Sequence, residues 1–138
     1  MSELSHEPLL KEFPDACWDE AAGAVIVPEG EARAIAEWLL EQGVDYCSNV
    51  TGVDYLEAEG KEKITNDAGE EETVARTEPG RIDVVYHLYS MEDQTGPLVL
   101  KQRTGRENAQ AESLTPVWRS CELQEREVFD LFGVDFSF

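Results

Sequence analysis

The chain has 138 residues, with 30 Asp and Glu against 11 Lys and Arg, a formal net charge of -19 and 41% hydrophobic residues. That length and composition read as one soluble globular domain spanning residues 1–138, with a core of its own. A surface this negative repels phosphate backbones and anionic headgroups, which argues against nucleic-acid binding and against direct docking on a lipid surface; it suits solubility, a salty habitat or a basic partner.

In chain order, "HEPLLKEFPD" sets Leu9, Leu10 and Phe13 at helical spacing before Pro14, which predicts a short leading helix. "AAGAVIVP" supplies Val25, Ile26 and Val27, a β-branched run stopped by Pro28, and predicts a strand. In "EGEARAIAEWLLEQGV", Ala32, Ile35, Ala36, Leu39 and Leu40 follow an amphipathic helical stripe, and Gly43 is placed for a left-handed cap. Trp38 falls off that stripe, so it is either partly exposed or wrapped by another element.

"YCSNVTGVDYLE" and "RIDVVYHLYS" predict a second and a third strand. In the latter, Ile82, Val84, Tyr86 and Leu88 share one face, with Val85, His87 and Tyr89 on the other. Bulk on both faces marks a central strand. The acidic stretch at about residues 57–80 is read as an elongated hairpin connection, and its "NDAGEEE" lacks the carboxylate spacing of a calcium loop. "EDQTGP" turns into a fourth strand, "LVLKQRTG", and "GRENAQAES" follows as a surface loop. "LTPVW" leads into a closing helix, with Ser120 as candidate N-cap and Gly133 as its stop. The order α-β-α-β-β-β-α predicts an α+β two-layer sandwich, helices packed on a mostly antiparallel or mixed sheet.

The closing helix poses the sharpest chemical question. At about 100° per residue, Cys121, Val128, Phe129, Leu131 and Phe132 form an apolar arc opposite Glu122, Arg126, Glu127 and Asp130, and Glu125 lands inside that arc. An ionised carboxylate there needs a partner. It either accepts hydrogen bonds within its own domain, with His87 and Arg81 as candidate donors, or meets a cation on another subunit across an exposed aromatic patch. Arg126 has Glu122 at i-4 and Asp130 at i+4, a ladder that fits either a solvated face or a docking face.

No catalytic constellation is legible. There is no GxGxxG, phosphate-binding loop or nucleophile elbow. Cys17, Cys47 and Cys121 show no CxxC and read as reduced, buried thiols, and with only His6 and His87 no metal site is expected. A thiol enzyme using Cys47 or Cys121 with His87 is the competing enzymatic reading. The longest clean apolar stretch, "AAGAVIV", is too short to span a bilayer, and the N-terminus is no signal peptide, so a soluble, cytoplasmic protein is expected.

The run "LTPVWRSCELQEREVFDLFGVDF", with "EFPDA", "VTGVDYLE" and "VVYHLYS" before it in order, resembles the C subunit, or 30 kDa subunit family, of respiratory complex I, the proton-translocating NADH:quinone oxidoreductase. A related component of membrane-bound nickel–iron hydrogenase-type complexes shares this domain. The resemblance implies a non-catalytic scaffold in the peripheral arm. Its neighbours would be the large hydrogenase-like subunit and the iron–sulfur quinone-site subunit, on the cytoplasmic face of the inner membrane. It implies no cofactor on this chain, with NADH, flavin, iron–sulfur clusters and quinone at other subunits. The motif residues that carry over are Glu125, Arg126, Glu127, Asp130, Phe132 and Gly133, with Trp118 anchoring the approach. In the family the chain continues past the Phe-Gly helix into a Gly-His-Pro-containing tail over its neighbours; the 138 residues stop before it, as a truncated chain or a short member would.

Overall fold

The computed structural model describes residues 4–56, 58–65 and 67–137, with the backbone alone for 58–64 and 74–78. The elements are α1 (Glu7–Glu12), β1 (Cys17–Asp19), β2 (Ala24–Val27), α2 (Ala32–Glu41), β3 (Tyr46–Tyr55), β4 (Ala58–Thr65), β5 (Glu71–Glu78), β6 (Arg81–Ser90), β7 (Thr95–Gly105) and β8 (Gln110–Glu112). A 3-10 turn (Arg119–Cys121) then opens into α3 (Glu122–Phe132), and β9 (Asp135–Ser137) follows. The main sheet runs β1-β2-β7-β6-β3, antiparallel except for the β2–β7 pair, with helices on one face. It is the mixed α+β arrangement that the periodicities predict.

The register explains the core. Val25, Leu100, Tyr86 and Val50 lie in one row across four strands, and all four are buried. The next row holds Val27, Gln102, Val84 and Gly52. Ala32, Ile35, Ala36 and Leu39 of α2 join the same core, as does Leu9 of α1. Because side chains alternate across a strand, one row predicts the next, which is why the central strands were readable from their pattern. Gly43 sits at φ 92° just past α2, where Val44 N–H donates to Leu39 O at 3.0 Å, the left-handed cap expected there. Trp38 is half-buried, with Phe13, just past the end of α1, edge-on at 6.1 Å between ring centroids.

Several expectations change. Residues 57–80 form more than a connection: β4 and β5 pair antiparallel from Ala58↔Glu78 to Thr65↔Glu71, while residues 57 and 66 lie outside the described set. Three-residue strands β1, β8 and β9 add to the predicted order, each too short to show a period. Cys17 is exposed, so only Cys47 and Cys121 are buried thiols. Strand β3 carries a bulge between Cys47 and Asn49, so that Cys47 and Val50, three residues apart, both face the core.

On the face opposite the helices, Asp83 is fully buried, which its strand pattern did not announce. Arg81 Nε and Arg103 Nε stand 3.4 and 3.3 Å from its Oδ1, and Lys101 Nζ stands 3.9 Å from Oδ2. Three cations around one carboxylate supply the compensation that a charge removed from water requires. Arg81 also stacks on the Tyr55 ring at 4.2 Å, and Arg103 reaches Asp19 at 3.7 Å, so the cluster binds β1, β3, β6 and β7 together.

Gly52 is where α3 meets β3 most closely. A Cβ built there would lie 2.6 Å from Phe132 Cδ2 and 2.7 Å from Cε2, inside any tolerable contact. Gly52→Ala is therefore expected to push the Phe132 ring off the strand and lower unfolding stability by about 1–3 kcal/mol, measurable by urea denaturation.

Candidate functional site

The site is built on α3 and the segment that precedes it. Trp118 is buried, and its indole N–H donates to Val44 O at 3.0 Å, pinning the approach to the end of α2. The 3-10 turn then brings the chain onto the free edge of β3. Ser120 Oγ donates to Cys47 O at 2.8 Å, and Val50 N–H donates to Gln124 Oε1 at 2.8 Å. These side chains satisfy edge groups that no neighbouring strand serves. Ser120 thus lies inside the 3-10 turn and does not cap α3; Cys121 holds the N-cap position without a side-chain cap bond. Gly133 ends the helix in the left-handed region, φ 73°, with its N–H on Phe129 O at 2.9 Å, as expected.

Glu125 points inward and is 4% exposed. Its Oε1 accepts from Ser113 Oγ and Thr115 Oγ1, each at 2.7 Å, and its Oε2 accepts from Leu114 N–H and Tyr86 O–H, each at 3.2 Å. Four donors surround one carboxylate. Three come from consecutive residues, 113–115, and the fourth from the central strand β6. The phenol in turn accepts from Gln102 Nε2 at 3.4 Å, and Gln102 grips the Glu112 backbone through Nε2–O at 2.8 Å and N–Oε1 at 2.9 Å. Hydrogen bonds to a charged acceptor each contribute roughly 1.5–3 kcal/mol net, enough together to offset a desolvation of several kcal/mol.

The internal partner is therefore real, but its chemistry differs from the expected one. His87 lies on the opposite face of β6 from Tyr86, and Arg81 serves Asp83 and Tyr55, so neither expected donor meets Glu125. The donors are short hydroxyls, which a search for cations in the sequence passes over. The "SLT" of residues 113–115 was the available signal: two hydroxyl residues flanking one backbone amide.

Among the other motif residues, Phe132 is half-buried against Gly52, while Arg126, Glu127 and Asp130 face solvent. Arg126 stands 3.9 Å from Glu122 with both side chains about two-thirds exposed (65% and 64%), a pair worth little, and among the described residues no ion pair joins it to Asp130. The apolar arc divides: Cys121 and Val128 are buried, whereas Phe129 is 48% and Leu131 77% exposed, and Leu123 adds a third apolar side chain at 70%. A cleft of about 740 Å³ opens beside α3, with Thr115 and Glu125 at its lining and Arg119, Arg126, Phe129 and Phe136 around it.

The thiol reading loses its base. The Cys47 and Cys121 side chains lie in the core on the helix side of the sheet and His87 on the other side, where burial lowers its pKa from the ordinary value. The Cys121 thiol is pushed up by the adjacent Cys47 sulfur and then by burial. Among the described residues no group of three or more His, Cys, Asp or Glu side chains could hold a metal ion, and no helix is long and apolar enough to cross a membrane.

Two outcomes are expected. Glu125→Gln puts an amide N–H₂ against hydroxyl and amide donors and should lower stability of the isolated chain by about 2–4 kcal/mol, seen as a lower melting temperature. Burial, and next the Glu125 charge, push the Tyr86 phenol well above its ordinary pKa. Its contribution to stability is thus complete below about pH 10 and is lost as pH rises further. In a spectrophotometric alkaline titration, one of the four tyrosines should ionise only as the chain unfolds.

Residues 25–137 match the family model described as "Respiratory-chain NADH dehydrogenase, 30 Kd subunit". The C subunit of NADH-quinone oxidoreductase from Moorella thermoacetica is 31% identical over 133 residues, covering 94% of this chain and 75% of that protein. Its counterpart in Hydrogenovibrio crunogenus is 34% identical over 126 residues, covering 81% and 56%. The chain thus spans only part of these relatives' length. Among solved structures, the trypsin-resistant fragment of Nqo5 superposes with a TM-score of 0.64 at 23% identity, covering 95% of this chain and 94% of that one. A chain of the membrane-bound sulfane sulfur reductase, an archaeal respiratory membrane complex, gives 0.65 at 22%, covering 95% and 67%. At such identities the structures show a shared fold. The sequence matches carry the assignment, and the chain belongs to the 30 kDa subunit family of respiratory-chain NADH dehydrogenase, to which the C subunits of NADH-quinone oxidoreductase belong.

Proposed function

We propose that the chain is a non-catalytic assembly subunit in the peripheral arm of a proton-translocating NADH:quinone oxidoreductase, held at the cytoplasmic face of the membrane by its partner subunits. It docks on the large quinone-site subunit through the outer side of α3, close to the iron–sulfur quinone-site subunit. Electrons pass through flavin, iron–sulfur clusters and quinone on those other subunits, and this chain binds none of them.

The observation that carries this reading is the division of α3. Its inward carboxylate is fully served by donors of the same chain, so the helix needs nothing from outside to fold. The helix nevertheless exposes Leu123 and Leu131, about 80° apart on one flank, and Phe129 on the other, three large apolar side chains on one short helix of an otherwise acidic protein. Apolar side chains kept exposed between charged neighbours are the composition of an interface centre and its rim. The Glu122, Glu127 and Asp130 carboxylates around them favour a partner surface with basic character. A nickel–iron hydrogenase-type complex is the second setting for the same docking, carried by the sequence resemblance; the same fold in a membrane-bound sulfane sulfur reductase shows only that it also occurs in another kind of complex.

Affinity capture of the tagged chain from gently solubilised membranes tests the proposal. Recovery of NADH-dehydrogenase and quinone-site subunits supports it, recovery of a nickel–iron subunit moves the chain to the second setting, and recovery of the chain alone overturns both. The double variant Leu123→Gln, Leu131→Gln should reduce capture of the large subunit at least about tenfold, the loss of a single hot spot. Its melting temperature should stay near that of the parent, since the two leucines are already 70% and 77% exposed.

A further inference from the structure

Cys47 and Cys121 have no part in the docking reading, yet the fold brings them together. Both are fully buried, one near the start of β3 and the other at the end of the 3-10 turn into α3. The bulge after Cys47 turns its side chain into the core. The Ser120 Oγ bond to Cys47 O, 2.8 Å, clamps the turn's backbone to the strand's at this point. Cys121 directly follows the clamped Ser120, which brings its side chain beside Cys47 in the core, and each thiol shifts the acidity of the other; among the described residues no cation or imidazole is paired with either to suggest nucleophilic catalysis.

We propose that Cys47 and Cys121 are a latent disulfide site, a dithiol pre-positioned by the fold to close reversibly and fasten the edge strand β3 to the base of α3. The oxidant class is a small external disulfide such as oxidised glutathione. One cysteine thiolate attacks it, forming a mixed disulfide and releasing one small thiol; the second cysteine attacks the mixed disulfide and releases the other. The chain loses two protons and two electrons, and the reagent's sulfur–sulfur bond is reduced to two thiols. Burial makes the first attack wait on local opening, so equilibrium is the quantity to measure, not rate.

The inference is independent of the proposed docking, and neither failure entails the other. Its test uses the full chain with the exposed Cys17 replaced (Cys17→Ser), which prevents cross-linking between molecules and leaves the core untouched. The chain is equilibrated in graded mixtures of reduced and oxidised glutathione, in native buffer and in denaturant, then quenched, thiol-tagged and weighed by intact mass with peptide mapping. A pre-positioned pair should close in native buffer at a glutathione ratio at least about tenfold less oxidising than in denaturant, through its effective concentration. By linkage the oxidised chain should also melt at a higher temperature. Equal or weaker closure in the folded chain, or accumulation of glutathione mixed disulfide in place of the Cys47–Cys121 bridge, overturns the proposal.

Discussion

The structure turns on the burial of one carboxylate. Glu125 sits beneath α3 with Ser113, Leu114, Thr115 and Tyr86 donating to it, and those four residues belong to the segment before the helix and to the central strand. An apolar residue at the same position would bury equally well but would fix no orientation. A carboxylate with four directed donors requires one register of the helix against the sheet and one path for residues 113–115. The same constraint propagates outward. Through Tyr86 it reaches Gln102 and the Glu112 backbone. The Glu112 side chain then accepts from Ala32 N–H at 3.1 Å, while Arg33 holds Ser113 O and Ser137 O, so the start of α2 belongs to the same framework.

A second carboxylate, Asp83, does comparable work on the other face, by a different means. It is neutralised by three cations, whereas Glu125 is solvated by hydroxyls and an amide. The contrast follows from what each must join. Asp83 lies among neighbouring strands already fixed by backbone hydrogen bonds, and long flexible cationic side chains can reach it from any of them. Glu125 has to set the angle of a helix, and short donors of fixed geometry define that angle more tightly than a mobile ammonium could.

Such a framework suits an assembly subunit. A helix whose inner side is satisfied by its own chain can expose apolar side chains outward without relying on a partner to fold, so under the proposed assembly role its docking surface is formed before any partner arrives.

Much of this was open to reading from the residues alone, where a period existed. The stripe of α2, the alternation of β6 and the glycine stops at Gly43 and Gly133 follow from local stereochemistry, and local stereochemistry is written along the chain. The resemblance of "WRSCELQEREVFDLFGVDF" to the 30 kDa family was likewise legible, as was the anomaly of Glu125 in an apolar arc. Its partners were not, because Tyr86 lies 39 residues away and the hydroxyls of Ser113 and Thr115 belong to no periodic pattern. Burial of Asp83, the bulge at Cys47 and the split of the α3 arc into buried and exposed halves were also decided only in three dimensions. Each depends on which strand lies beside which, a long-range pairing that no local sequence window contains.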